Sequence, residues 1–286
     1  MKPGKAILDE LPFTGPVNVM AELSGGPASD SFLLECGEQR VVLRIDKPLV
    51  SAIGLDRKAE VDVLNAVAAA GLGPHVVWAD PAQGILVTGY LDGKIWDRHD
   101  LRVESNLERL GALFRKLHAL PPAGPEFHAT EWAEKYALHL QSKTGRVLAE
   151  RVKHIDRCLE EQPVPAVLCH NDPVAGNIVD SGELYLIDWE YAGVGDPYFD
   201  LAAVTAFHEL PEAAVDPLLE SCFGSADSGH HARLALAAEL YDCLHLLWLM
   251  LVIAAGQGVP AGVAHSRELA ARLGVAGFRG DRAAGH

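Results

Sequence analysis

Apolar and polar positions alternate through much of the first ninety residues and then change to a helical period. Residues 17–23, 31–36 and 40–45 read as strands, with Gly37-Glu38-Gln39 as the hairpin connection between the second and third. Residues 56–70 interrupt them with a helix: Val61, Leu64, Val67 and Ala68 recur at helical spacing, and Gly71 stands where a left-handed C-cap is wanted. Strands resume at 75–79 and 85–90 around the turn Asp80-Pro81-Ala82-Gln83-Gly84, and Leu91-Asp92-Gly93 reads as a short linker. Beyond it, amphipathic stretches near 100–120, 130–162, 197–210 and 230–255 predict helices. The apolar pieces 166–169, 178–180 and 184–187 are too short for helices and suit small strands carrying loops. The pattern predicts an α+β chain of two lobes with a cleft, a small β-rich lobe over 1–90 and a larger, mainly helical lobe over 91–286.

Composition narrows what such a chain does. At 286 residues and 49% apolar it can bury a sizeable core, which excludes a disordered chain. Its 24 Lys and Arg against 39 Asp and Glu leave a formal charge of −15, so it lacks the basic stripe that nucleic acid requires. The acidic total suits a cationic substrate, and it equally suits ordinary solvated faces. Cys36, Cys158, Cys169, Cys222 and Cys243 form no CxxC pair, which argues against a disulfide framework and a zinc ribbon and for a reducing cytoplasm. Residues 1–12 lack the apolar run of a secretion signal. The apolar stretch 244–255 contains His245 and falls short of the roughly 20 residues of a bilayer span, so a buried helix is expected and no membrane.

The densest polar cluster is His170-Asn171-Asp172-Pro173-Val174-Ala175-Gly176-Asn177, followed eleven residues after Asn177 by Asp188. Each Asp follows an apolar, strand-like run, which places a carboxylate at a strand end. Phosphoryl transfer needs a carboxylate to orient and deprotonate the attacking hydroxyl, and oxygen ligands for the magnesium ions that neutralise the phosphates. Asp172 fits the first role, and Asn177 and Asp188 the second. Any one of these three residues alone would read as a turn-forming Asx residue; with His170 before them, the four in this order read as a site.

Together with Leu186-Ile187-Asp188-Trp189-Glu190-Tyr191-Ala192, Gly195-Asp196-Pro197 and Asp200-Leu201-Ala202, the cluster resembles the aminoglycoside phosphotransferase superfamily, and within it the choline/ethanolamine kinase-like branch. The resemblance covers most of the chain. It implies the bilobal protein-kinase-like fold, ATP and Mg2+ as cofactors, and phosphorylation of an alcohol, with thiamine kinases and antibiotic-modifying enzymes as relatives. It makes Asp172 and His170 catalytic residues and Asn177 and Asp188 metal ligands. Pro173 departs from the Leu usual in the family and stiffens the loop, because its φ is fixed.

The same resemblance assigns the first lobe to nucleotide binding. Ser24, Gly25 and Gly26, between two predicted strands, correspond to the phosphate-covering loop, although Gly-Gly-Pro is also ordinary turn chemistry. Arg44 takes the place of the nucleotide-binding Lys of protein kinases, and Glu60 on the next helix is positioned to hold it. ATP is expected near Leu91. A quaternary ammonium is held by ring faces and a carboxylate, for which Glu190, Trp189, Tyr191, Asp196 and Trp248 are the candidates, with Trp96, Tyr198 and Asp200 behind them. Large aromatics are more often core, and for Trp248, inside an apolar helix, both readings stand. His118 is expected to close a helix end, and His208, His230 and His231 lack zinc spacing. The substrate expected is a small cationic alcohol such as choline or ethanolamine. The alternatives are thiamine, an aminoglycoside, a pseudokinase without turnover, and a metal-dependent hydrolase; the last lacks the further His and carboxylates of a two-metal site.

Overall fold

The computed structural model describes residues 3–23 and 26–275, so Ser24 and Gly25 of the predicted phosphate loop lie outside the described residues. Its contacts divide the chain into two compact units, residues 3–95 with 177–191, and residues 96–176 with 192–275. The predicted 90/91 boundary is a single cut. The first unit instead runs five residues further and takes back a segment from the middle of the chain.

In the first unit, helix α1 (Lys5–Glu10) precedes a five-stranded antiparallel sheet of β1 (Val17–Leu23), β2 (Ser29–Cys36), β3 (Gln39–Asp46), β4 (Val76–Asp80) and β5 (Ile85–Gly89), in the order β1-β2-β3-β5-β4. β2 and β3 pair from Cys36↔Gln39, leaving Gly37, at φ +64°, and Glu38 as the turn. Side chains alternate across a strand, so Phe32, Leu34, Val41, Leu43 and Val87 enter one core with Leu11. Arg44 and Asp46, two apart, share the other face. Between β3 and β4 run the short α2 (Leu49–Ile53) and α3 (Arg57–Ala69). Asp56 caps α3 by accepting the backbone N–H groups of Lys58 and Ala59, and Gly71, at φ +71°, follows its end as the sequence predicts. The returning segment adds a second sheet, β6 (Lys94–Ile95), β8 (Ile178–Asp180) and β9 (Leu184–Leu186).

The second unit pairs β7 (Val167–Cys169) with β10 (Gly193–Gly195) and is otherwise helical: α4 (Glu104–His118), α5 (Ala129–Leu140), α6 (Lys143–Glu160), α7 (Tyr198–Phe207), α8 (Asp216–Phe223), α9 (Ser228–Ala254) and α10 (Pro260–Arg272). The single helix predicted over 130–162 is two. Gln141, at φ +47°, ends α5, and the Ser142 hydroxyl accepts the Gly145 N–H to start α6. Helices α8 and α10, both opening with Pro in the first turn, have no counterpart in the sequence reading. By length and composition α9 could cross a membrane, but it is largely buried and packs against α5, α6, α7 and α10, so it is the core helix that the stretch 244–255 predicts. The five cysteines are all free.

The α4–α8 contact tests this packing. A Cβ on Gly111 would lie 2.6 Å from the Leu218 carbonyl oxygen and 2.7 Å from Ser221 Cβ, and a backbone carbonyl cannot swing aside. Gly111→Ala should therefore force α4 and α8 apart and destabilise the protein by about 1–3 kcal/mol despite the better helix propensity of Ala. Chemical denaturation checks this; an unchanged or raised midpoint would show the contact to be slack.

Candidate active site

In the first unit, two arginines hold four carboxylates. Arg44, 8% exposed, donates to both oxygens of Glu60, at 2.6 and 2.5 Å, and to Asp188 Oδ1 at 3.2 Å. Arg57 grips Asp46 with two bonds of 2.8 and 2.7 Å and also donates to Glu60 at 2.9 Å and to Glu190 at 3.1 Å. Burial opposes the Glu60 charge, yet the two guanidiniums hold its carboxyl below the usual range. Glu190 goes the other way. Burial, then the neighbouring Asp188 charge, push its carboxyl up to about 8 against the pull of Arg44 and Arg57. The predicted Arg44–Glu60 pair is thus present; Arg57 and Asp46 are additions. The signals for them were the β3 alternation that puts Asp46 beside Arg44, and the i,i+3 spacing from Arg57 to Glu60.

Asp188 follows β9 and adopts φ +65°, a left-handed backbone that Asp tolerates better than most residues. Its side chain stays 43% exposed even with Arg44 bound. Asn177 leads into β8, and its carbonyl accepts the Ile187 N–H at 2.9 Å, which ties the two predicted metal ligands to adjacent strands of one sheet. Trp189 points into the unit's core. It is 1% exposed, donates Nε1–H to the Leu186 carbonyl at 2.9 Å, and lies against Gly73, where an added Cβ would meet Nε1 at 2.9 Å.

In the second unit the catalytic-type loop is organised by Asp200, in the first turn of α7, with no exposed surface at all. Its carboxylate accepts the backbone N–H groups of His170, at 3.2 Å, and Asn171, at 2.7 Å, and pairs with His118 Nε2 at 2.9 Å. Asn171 sits at φ +66°, and the Asp172 N–H donates to His170 Nδ1 at 3.2 Å. At the other end of the loop, the Ala175 N–H donates to His208 Nε2 at 3.0 Å. His118, Cys169 and Asp200 bring three ligand-type atoms within 4.8 Å. Asp200 is already accepting three bonds, however, and burial keeps the Cys169 thiol far above its usual range, so this group is a hydrogen-bonded scaffold.

These placements correct several assignments. His170 is fully buried and its Nδ1 accepts the Asp172 N–H, so its ring has no exposed face to offer a reactant. Trp189 offers no ring face to a ligand. Glu190 is buried against Arg57, and Asp196 pairs with Arg233 while accepting the Tyr198 N–H at 2.9 Å, so neither is a free carboxylate for a cation. Trp96 is core, and Tyr198 is packed among Phe223, His230 and the Arg233 guanidinium. His118 ends α4, as expected, and its Nε2 pairs with Asp200. Half-buried positions are kept by Tyr191, Leu91 and Trp248, while Gly26 is exposed and its carbonyl accepts from Lys47 Nζ at 2.9 Å. Trp248 belongs to a ring cluster with His245, Phe207, Tyr241 and His265. Phe207 of this cluster packs edge-on against His208, which accepts the Ala175 N–H, and this places the cluster beside the loop; burial, followed by the charge of Asp172, raises the Tyr241 hydroxyl.

With this geometry in hand, comparison defines the class. The chain belongs to the phosphotransferase enzyme family, whose model matches residues 19–237, and is accordingly a phosphotransferase acting on an alcohol, with a kinase-like fold. Among its relatives, Protein LicA of Haemophilus influenzae is 25% identical over 239 residues, 79% of this chain and 70% of that protein. A thiamine kinase of Escherichia coli is 32% identical over 188 residues, 64% of this chain but only 62% of that enzyme. A choline/ethanolamine kinase family protein from Mesorhizobium loti superposes with a TM-score of 0.77 at 25% identity, covering 94% of this chain and 92% of its own. The choline kinase LicA from Streptococcus pneumoniae does so with 0.77 at 20% identity, over 94% and 97%, which shows the fold alone.

Glu60 is the member of the charge network whose loss strands the most charge. Glu60→Ala leaves two buried guanidiniums short of a shared partner and should cost about 3 kcal/mol or more, measured by urea denaturation. Arg44→Met with Glu60→Leu removes both halves of one pair and should cost clearly less than the sum of the two single changes. Additive losses would mean that the pair is not a unit.

Proposed function

We propose that the chain is an ATP-dependent, magnesium-requiring kinase that transfers the γ-phosphoryl group to the hydroxyl of a small cationic alcohol of the choline type. The observation that carries this reading is the loop from His170 to Asn177, with its first two backbone N–H groups fixed on buried Asp200 so that Asp172 follows at a set position. In the proposed step the acceptor oxygen bonds to the γ-phosphorus, its proton passes to Asp172, and the bond to the bridging oxygen breaks to release ADP. Asn177 and Asp188 offer hard oxygen donors, and the exposed Asp188 carboxylate fits a magnesium ion. When bound, the metal would neutralise phosphate charge. Arg44, held by Glu60, fixes Asp188 and lends positive charge to the phosphate side; Gly26 and Leu91 border the nucleotide.

The choline-type acceptor is supported by the named choline kinases among the structural neighbours and by the ring cluster beside the loop. Since Arg57 and Arg233 occupy Glu190 and Asp196, recognition of the cation falls to ring faces, with Trp248 the half-buried indole among them. Thiamine is the second reading, favoured by the thiamine kinase relative, and its flat cationic ring would meet the same faces.

Two outcomes test these assignments. Asp172→Ala should leave nucleotide affinity nearly intact while cutting turnover by about a hundredfold or more, the scale of a lost general base; a coupled ADP-release assay that finds turnover retained removes Asp172 from this role. Choline should be phosphorylated with a kcat/KM about tenfold or more above that of its uncharged isostere 3,3-dimethylbutanol, and Trp248→Leu should narrow the gap. Equal efficiencies would discard the cation site and leave the kinase standing. Thiamine in the same assay decides between the two acceptors.

A further inference from the structure

Helix α7 touches the catalytic-type loop at both of its ends. Asp200, in its first turn, holds the backbone of His170 and Asn171. His208, at its C-cap and about 12 Å further along the helix axis, accepts the N–H of Ala175 at 3.0 Å. Between the two holding points lie Asp172, Pro173 and Val174, which belong to no helix or strand. Side-chain acceptors for a loop N–H are ordinarily carboxylates, hydroxyls or amides. An imidazole serves only while it is neutral and carries its proton on the other nitrogen. The environment supplies that condition: the His208 ring is half-buried, Phe207 packs edge-on against it at 4.9 Å, and burial lowers the imidazole to about 4, so Nε2 keeps its lone pair at neutral pH.

We infer that His208 is a positioning residue for phosphoryl transfer: by accepting the Ala175 N–H it fixes the far end of the loop whose near end Asp200 holds, and so sets the placement of Asp172. The inference rests on the reading of Asp172 as the base, and it adds a residue that the sequence motif does not contain. His208 lies 31 residues beyond Asn177 and after the last matching motif residue, so nothing in the loop's own sequence points to it. Loss of the His208 acceptor would leave His170 and Asn171 on Asp200 and the Asp172 N–H on His170, while the stretch from Pro173 to Ala175 that follows Asp172 loses its hold on α7 and lets the Asp172 carboxylate shift. That loss should therefore appear in turnover more than in nucleotide binding.

Amide hydrogen exchange at Ala175 reads the bond itself and needs neither nucleotide nor acceptor. His208→Leu and His208→Phe remove the acceptor, the second with ring volume retained, and each should speed Ala175 exchange by about tenfold or more while leaving the amides of His170 and Asn171 protected. His208→Gln returns an acceptor oxygen and should restore protection. In the ADP-release assay, with whichever of choline, ethanolamine or thiamine the unmodified enzyme turns over fastest, the acceptorless variants should lose about tenfold or more in kcat with the KM for ATP within about twofold, and Gln should recover most of it. Unchanged Ala175 exchange in the folded Phe variant, or faster exchange with kcat intact, would overturn the inference. Retained turnover in Asp172→Ala would instead sink the reading of the loop's chemistry, and the exchange data would still decide whether His208 holds Ala175.

Discussion

Asp200 is a carboxylate without any exposed surface, and burying such a group is tolerable only if protein donors replace all the water it gives up. Here the donors are two consecutive backbone N–H groups and an imidazole, and this choice has geometric consequences. Two successive amides converge on one carboxylate at a bend, and the bend falls at Asn171, whose left-handed backbone Asn tolerates better than most residues. The residue after that bend is Asp172. Its placement thus follows from satisfying Asp200, and the first turn of α7, where the helix dipole favours a negative group, is a suitable place to keep that carboxylate. His118 bonds the same carboxylate, and the His170 ring holds the Asp172 N–H, so both imidazoles are spent on fixing the loop.

A comparable constraint organises the first unit, with the signs exchanged. Arg44 and Arg57 come from β3 and α3, whereas Asp188 and Glu190 come from a segment more than a hundred residues later. Arg44–Asp188 and Arg57–Glu190 bind that segment to the sheet-and-helix layer, and a backbone bond assists, from the Leu186 N–H to the Leu72 carbonyl. Glu60 lies at the centre because it is shared by both arginines. One buried carboxylate therefore couples the helix that carries it to β3 and, through Arg44 and Arg57, to the returning segment. A network of this kind contributes less to net stability than to specifying one arrangement, since each desolvated charge constrains its partners.

The sequence made some of this legible and hid the rest for physical reasons. Strands β1 to β5 were readable because one face of each packs on a core, so alternation survives in the composition; α3 was readable from its cap and from Gly71. The break at Gln141 was not, because the apolar period continues through it and Ser142 announces a new helix only once its hydroxyl is seen to meet Gly145. Nor was the return of 177–191 to the first unit, a long-range pairing that no local pattern encodes. At the site, Asp172, Asn177, Asp188 and the Arg44–Glu60 pair carried signals in residue type and spacing. Trp189 and Glu190 misled because motif position says nothing of the direction of a side chain: one donates inward to a carbonyl, and the other lies behind Arg57. His208 had no local signal, since its partner is a backbone N–H far away in sequence.

The formal charge of −15 looks at first like a preparation for a cationic acceptor, and the structure argues against reading it so. Among the carboxylates near the motif, Glu60, Asp46 and Glu190 face Arg44 or Arg57, Asp196 faces Arg233, and Asp200 faces backbone amides. Each of these carboxyls is already paired or buried, so long-range attraction of a cation falls to the rest of the acidic surface, where salt screens it within about 10 Å. On the proposed reading, short-range choice of a cationic acceptor falls to ring faces, which bind a cation without a full counter-charge. Phe207, Tyr241, His245, Trp248 and His265 form such a cluster, in which burial first, then the nearby charges of His265 and Arg272, hold the His245 imidazole neutral down to about 3. On the proposed reading, such a wall of rings separates cations by shape and polarisable surface, and the choice between a compact ammonium and a flat cationic ring follows from how those rings stack.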